Sequence, residues 1–152
     1  MIRDETVNIN QMLPIEPLRK WATKAEGNYK SAVALNRLQK QPLPDSVCLH
    51  CYESARKYLE AFLLYHREKP TNSSDLLQLL INCESYDKSF SRLQTVVDDL
   101  IPIGDKYCYP SANASISDAQ SAILAIRRLR QFVRKKIGYI VASAECRLVQ
   151  PE

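Results

Sequence analysis

Proton transfer near neutral pH calls for an imidazole, and this sequence offers two, His50 and His66. Both belong to one stretch of helical pattern, where His50 is expected to be a hydrogen-bonded, partly buried helix residue and His66 to lie against the C-terminal dipole. Cys48 and Cys51 have the spacing of half a zinc site, but no second pair of ligands follows. Three residues apart on a helix they share one face, as buried core thiols do. The five cysteines, an odd number spread along the chain, are not the framework of a small secreted domain, and reduced thiols are expected. Asp98 and Asp99 point in different directions on a helix and read as surface charge. The sequence carries no glycine-rich phosphate loop, no HExxH helix, no nucleophile elbow and no acidic metal motif. No metal, no cofactor and no intrinsic enzyme activity is therefore expected.

Two other features bear on phosphate. Arg127, Arg128, Arg130, Arg134, Lys135 and Lys136 fall within ten residues with no acidic residue among them. Such a cluster is either a solvated helix face or a phosphate-binding surface, and a formal net charge of +4 is too small to decide between them. The stretch PIGDKYCYPSANASI, residues 102–116, is longer than a minimal helix connection and rich in turn residues, and loops of that length are often functional.

The elements that must position these residues are helices. Only three glycines occur, and apolar residues recur at three- and four-residue steps nearly everywhere, which makes the expected class all-α. A first helix over about 17–39 carries Leu18, Trp21, Ala25, Tyr29, Ala32 and Leu35 on one stripe. The prolines of QPLPD stop it, and Asp45 is expected to cap a second helix over about 46–67. A third follows over about 75–83, and a fourth around Phe90, Leu93, Val97 and Leu100, ending near Pro102 and Gly104. Ser117 with Gln120 fits a capping box that opens the last helix, expected to run through Ile137 with a frayed tail from Ser143. Antiparallel neighbours would bury these stripes as a bundle. At 152 residues the chain is about one domain long, and 45% hydrophobic with 25% charged residues excludes wholesale disorder. No apolar run approaches the ~20 residues of a membrane span, and the polar first ten residues lack a signal-peptide core, so a cytoplasmic protein is expected.

With Trp21, Ala25 and Glu26 on the first segment and a cysteine, a histidine and regular leucines on the second, these segments in order resemble the HEPN domain family, helical modules associated with nucleotides and RNA that open with a tryptophan and an Ala-Glu pair. The run VCLHCYESARKYLEAFLL, residues 47–64, is similar to the family's second helix at Cys48, His50, Ala55, Lys57, Leu59, Ala61 and Leu63. Ser73, Ser74, Asp75 and Leu76 stand for its Thr-His-Asp-Leu, and Cys108, Tyr109 and Pro110 for its Arg-Tyr-Pro. The resemblance implies a five-helix up-and-down bundle, a single HEPN-like domain over 1–152 with its core at about 17–140.

The departures shape the functional expectation. The family's Gln-Gln becomes Tyr52 and Glu53, and its Glu and Lys become Arg56 and Glu60, a reversed pair that would keep an i,i+4 attraction of about 0.2–0.5 kcal/mol. Ribonuclease members carry an arginine, four to six residues and a histidine, so that a guanidinium steadies phosphate while an imidazole moves a proton. Here His50 follows Arg37 by thirteen residues and His66 follows Arg56 by ten, and neither completes the motif. The resemblance thus implies a non-catalytic homodimeric module working with a partner such as a small nucleotidyltransferase, in a toxin–antitoxin-like pair. Nucleotide or RNA would meet the loop, with Tyr107 or Tyr109 stacking a base, Lys106 or Arg127 meeting phosphate, and His50 and Arg56 as further contacts. Two alternatives stand beside it: a divergent ribonuclease using Lys106, Tyr107 and His50, and a purely structural adaptor whose helix faces bind another protein.

Overall fold

Leu18, Ala25 and Ala32, each seven residues from the next, are all fully buried, and they define the inner edge of the first helix, α1 (Ile15–Asn36). The computed structural model describes residues 15–70, 75–104 and 106–148, with side chains described to residue 138. Small residues let α1 approach α2 (Pro44–Tyr65) closely: Ala25 and Ala32 meet a helix lined by Cys48, Cys51, Ser54 and Ala55. The buried Ser54 hydroxyl donates to the Ala25 carbonyl oxygen at 2.8 Å, satisfying a polar group that burial would otherwise penalise.

α2 is the central helix, packed against α1, α5 (Ile116–Leu148) and α3 (Leu76–Tyr86). α3 leads through a 3-10 segment, Lys88–Leu93, into α4 (Gln94–Leu100), which lies on α5. Two further 3-10 turns, Ile101–Ile103 and Lys106–Cys108, lie in the first half of the stretch expected to be a long loop. The described residues thus form an all-α bundle of five helices. α1 and α2 run antiparallel, since Ala25 faces Ser54 while Asn28 faces His50. α2 and α5 begin at the same end, where the Asp45 carboxylate accepts from the Ala114 backbone N–H at 2.6 Å.

That contact corrects one expectation. Asp45 does not cap α2: the N-cap position is Leu43, Pro44 supplies the first helical residue, and Asp45 points across to hold the segment entering α5. The capping box of α5 also lies two residues earlier than Ser117 and Gln120. Ser115 Oγ accepts from the Asp118 N–H at 3.0 Å while Asp118 Oδ2 accepts from the Ser115 N–H at 2.9 Å. Serine with an acceptor side chain three residues on is the pattern in both places, and Asp118 wins because an ionised acceptor at a helix N-terminus is stronger than the Gln120 amide. Ser115→Ala is expected to lower stability by about 1 kcal/mol, measured by urea unfolding, with an unchanged slope.

α5 also runs further than the apolar stripe implied. Gly138 does not end it, and the backbone stays helical through Leu148, across the tail expected to fray from Ser143; residues 149–152 lie outside the described part. A lone glycine costs a helix about 1 kcal/mol, less than the turns on either side return. Of the cysteines, Cys48, Cys51 and Cys83 are buried and Cys108 is exposed, all as free thiols.

Candidate functional site

The residues nominated from sequence fall into three places. At the bundle end where α2 and α5 begin, the Lys106 ammonium lies 5.4 Å over the ring of Tyr107, whose hydroxyl donates to Asp118 Oδ2 at 3.1 Å. Tyr107 is half-buried against the core, whereas Tyr109, two residues on, is 63% exposed. A glycine begins this segment for a steric reason: a Cβ on Gly104 would stand 2.6 Å from Cε2 of the Tyr52 ring. The Asp118 carboxyl is held below its usual range by hydrogen bonds from Ser115, then from Tyr107, with the Lys106 charge adding to them. Burial and the bond to Asp118 push the Tyr107 phenol up, so it serves as a neutral donor. Tyr107 is therefore committed to the helix start, and Lys106 and Tyr109 remain the outward-facing members of this end.

Arg127 lies elsewhere. It is nine residues beyond Asp118, about 14 Å along α5. Its Nε donates to the Tyr29 hydroxyl of α1 at 3.3 Å. Beside it, Arg130 stacks over the Tyr29 ring at 4.5 Å and clamps Glu26 with two bonds, Nε to Oε2 at 2.8 Å and Nη2 to Oε1 at 2.7 Å. Arg134 approaches the same carboxylate at 3.5 Å, and the Tyr58 hydroxyl of α2 donates to it as well. Glu26 thus ties three helices together. The Arg130 hydrogen bonds, helped by Tyr58 and by the charges of Arg130 and Arg134, outweigh desolvation and bring its carboxyl down to about 2.

His50 and Arg56, on α2, sit apart from both groups. His50 Nδ1 is 3.0 Å from Asn28 Oδ1, a contact between α2 and α1. Arg56 pairs with Glu53 at 2.9 Å, its side chain only 15% exposed, and Lys57 joins the same carboxylate at 3.7 Å. The expected partner of Arg56, Glu60, is itself fully buried. The second histidine, His66, belongs to an aromatic cluster at the far end of α2, stacked on Tyr86 at 4.3 Å and against Phe62 at 4.8 Å. Desolvation there lowers its pKa against the pull of Asp87 and Glu68.

Burial pushes the Cys48 thiol up to about 11 and the Cys51 thiol to about 12. Both are thus poor thiolates, as their place in the core requires. No group of three or more His, Cys, Asp or Glu side chains suited to a metal ion occurs among the described residues. No described helix is long and apolar enough to cross a membrane.

The sequence singles out Arg127 but not Tyr29 as its partner, nor Glu26 as that of Arg130, because these contacts join residues about a hundred positions apart. One local signal was available: Glu26 and Tyr29 stand three apart on α1, as Arg127 and Arg130 do on α5, so each pair occupies one helix face.

Compared with models of known families, residues 18–136 match the HEPN domain. Neither the curated proteins nor the solved structures return a match.

Proposed function

Because this chain belongs to the HEPN domain family, we propose that it is a non-catalytic member that associates with nucleotide or RNA, forms a homodimer and works with a partner protein such as a small nucleotidyltransferase, in a toxin–antitoxin-like pair. The observation that carries the nucleotide part is the pairing, at one end of the bundle, of an outward-facing tyrosine, Tyr109, with a lysine, Lys106, on a segment fixed by Gly104 and Asp118. An aromatic face stacks any base, and an adjacent ammonium meets its phosphate. The non-catalytic part is supported by the two imidazoles: His50 faces Asn28, and His66 is packed among aromatic rings at the end of α2 away from that segment.

Calorimetric titration of the purified protein with ATP and with a short RNA, at two salt concentrations, tests the reading. Binding that weakens with salt, and about tenfold on Lys106→Ala, is the expected result. No binding of either ligand overturns the nucleotide part and leaves a structural adaptor as the better account. That second reading has its own support in Leu77 and Ile81, an i,i+4 pair on α3 exposed to 38% and 48%. The homodimer is tested separately, by light scattering on the eluting protein.

A further inference from the structure

Charge is segregated in this fold. The segment from Pro44 to Leu100, covering α2 to α4, carries Asp45, Glu53, Glu60, Glu68, Asp75, Glu84, Asp87, Asp98 and Asp99 against six lysines and arginines. α1 and α5 have the opposite balance, and they pack together. Along α1, Arg19, Glu26 and Lys30 are separated by seven and four residues, the spacing that keeps side chains on one helix face, and Arg37 follows in the turn directly after the helix. Glu26 fixes which face this is, because it is bonded to Arg130 of α5. On α5 the steps of three and four residues between Arg127, Arg130 and Arg134 put those three on the side that meets α1. Six cations therefore border one seam with Glu26, and only Glu16, paired with Arg19 at 3.6 Å, adds a second carboxylate on α1.

We propose that this α1/α5 seam is a binding track for the phosphate backbone of a nucleic acid, with Lys30, Arg37, Arg127 and Arg134 as the phosphate-reading residues. The inference rests on the nucleotide and RNA reading given above and places most of the binding energy away from the Lys106 segment. From Arg19 to Arg37 the seam is about 27 Å long, the reach of several consecutive phosphates and far more than a mononucleotide spans. Lys30, Arg37 and Arg127 are exposed, and the Arg134 side chain is 51% exposed. Glu26 and Tyr29 act from beneath. Glu26 holds Arg130 and Arg134, the Tyr29 hydroxyl holds Arg127, and guanidinium groups already fixed in place lose little freedom on meeting phosphate. The Tyr29 ring is covered by Arg130, so this seam reads charge and leaves bases unread. It reaches the bundle end that carries Tyr109, since α1 ends where α2 and α5 begin.

The test is fluorescence anisotropy of a labelled 20-nucleotide single-stranded RNA, with DNA of the same sequence and an RNA duplex as further arms, over a salt series. The groove variant is Lys30→Glu with Arg37→Glu, at exposed positions whose side chains carry none of the contacts described above. The control is Lys88→Glu with Arg92→Glu, an equal charge change at exposed positions on the α3–α4 side. Circular dichroism and thermal melting establish that both variants fold. The seam predicts at least about tenfold weaker RNA binding and a shallower salt slope, by about one per lost phosphate contact, for the groove variant alone. Equal weakening of all arms supports a phosphate track common to RNA and DNA, and weakening of one arm assigns the track to that nucleic acid. Wild-type affinity in the groove variant, with binding lost on Lys106→Ala, overturns the seam and leaves the nucleotide reading intact. No oligonucleotide binding even at low salt overturns both.

Discussion

Phe90→Ala is expected to cost about 3–5 kcal/mol, enough to leave a marginally stable domain largely unfolded at physiological temperature. Phe90 is fully buried, with its ring centroid 4.2 Å from that of Phe62 on α2 and 5.0 Å from that of Phe132 on α5, the latter edge-to-face. Through it the 3-10 segment Lys88–Leu93 packs onto both α2 and α5. Truncation removes its buried apolar area and opens a cavity that neighbours anchored on separate helices fill only in part. Chemical denaturation monitored by far-UV circular dichroism reads the loss directly. A change below about 1 kcal/mol would mean that this ring is not what joins that segment to α2 and α5.

Glu26→Ala is the second large change. It leaves Arg130, whose side chain is 26% exposed, without the carboxylate that now takes two of its donors, and it strips the Tyr58 phenol of its acceptor. A loss of about 2–4 kcal/mol is expected, at the lower end of what breaking a buried pair costs because both partners retain some solvent contact. The substitution also has a signature in pH. Folding lowers the Glu26 carboxyl from 4.5 to about 2, so the unfolded chain binds the proton more tightly. The stabilisation is fully present above pH 4.5 and disappears as pH falls through about 2. The wild type should lose stability steeply across that interval, and Glu26→Ala should lose it less steeply. Parallel pH profiles for the two proteins would show that Glu26 is not the group responsible.

The helices were legible in the sequence because each buries one stripe: Leu18, Ala25 and Ala32 on α1, or Leu59 and Leu63 on α2, announce a core by spacing alone. Helix starts were read less well. Ser115 and Ser117 both precede plausible partners, and the ionised Asp118 together with a tertiary contact, the Asp45 bond to Ala114 one residue before Ser115, selects the first. The candidate site was the least legible. Arg127 stood out as part of a basic run, yet what orients it is Tyr29, and what orients its neighbours is Glu26, residues brought near only by the packing of α1 on α5. The length of α5 separates Arg127 from Lys106 and Tyr109, which the family resemblance had grouped into one site.

The proposed function assigns a nucleic acid to two distinct surfaces, an aromatic end and a cationic seam, while His50 faces Asn28 and His66 packs among aromatic rings. The proposed function therefore predicts that RNA is bound and left intact. The measurement that meets the proposed function most directly is one incubation of purified protein with end-labelled single-stranded RNA, divided between a native gel that reports binding and a denaturing gel that reports strand integrity. A retarded band with full-length RNA is the predicted result. Cleavage that copurifies with the protein and is abolished by His50→Ala would contradict it and establish a ribonuclease.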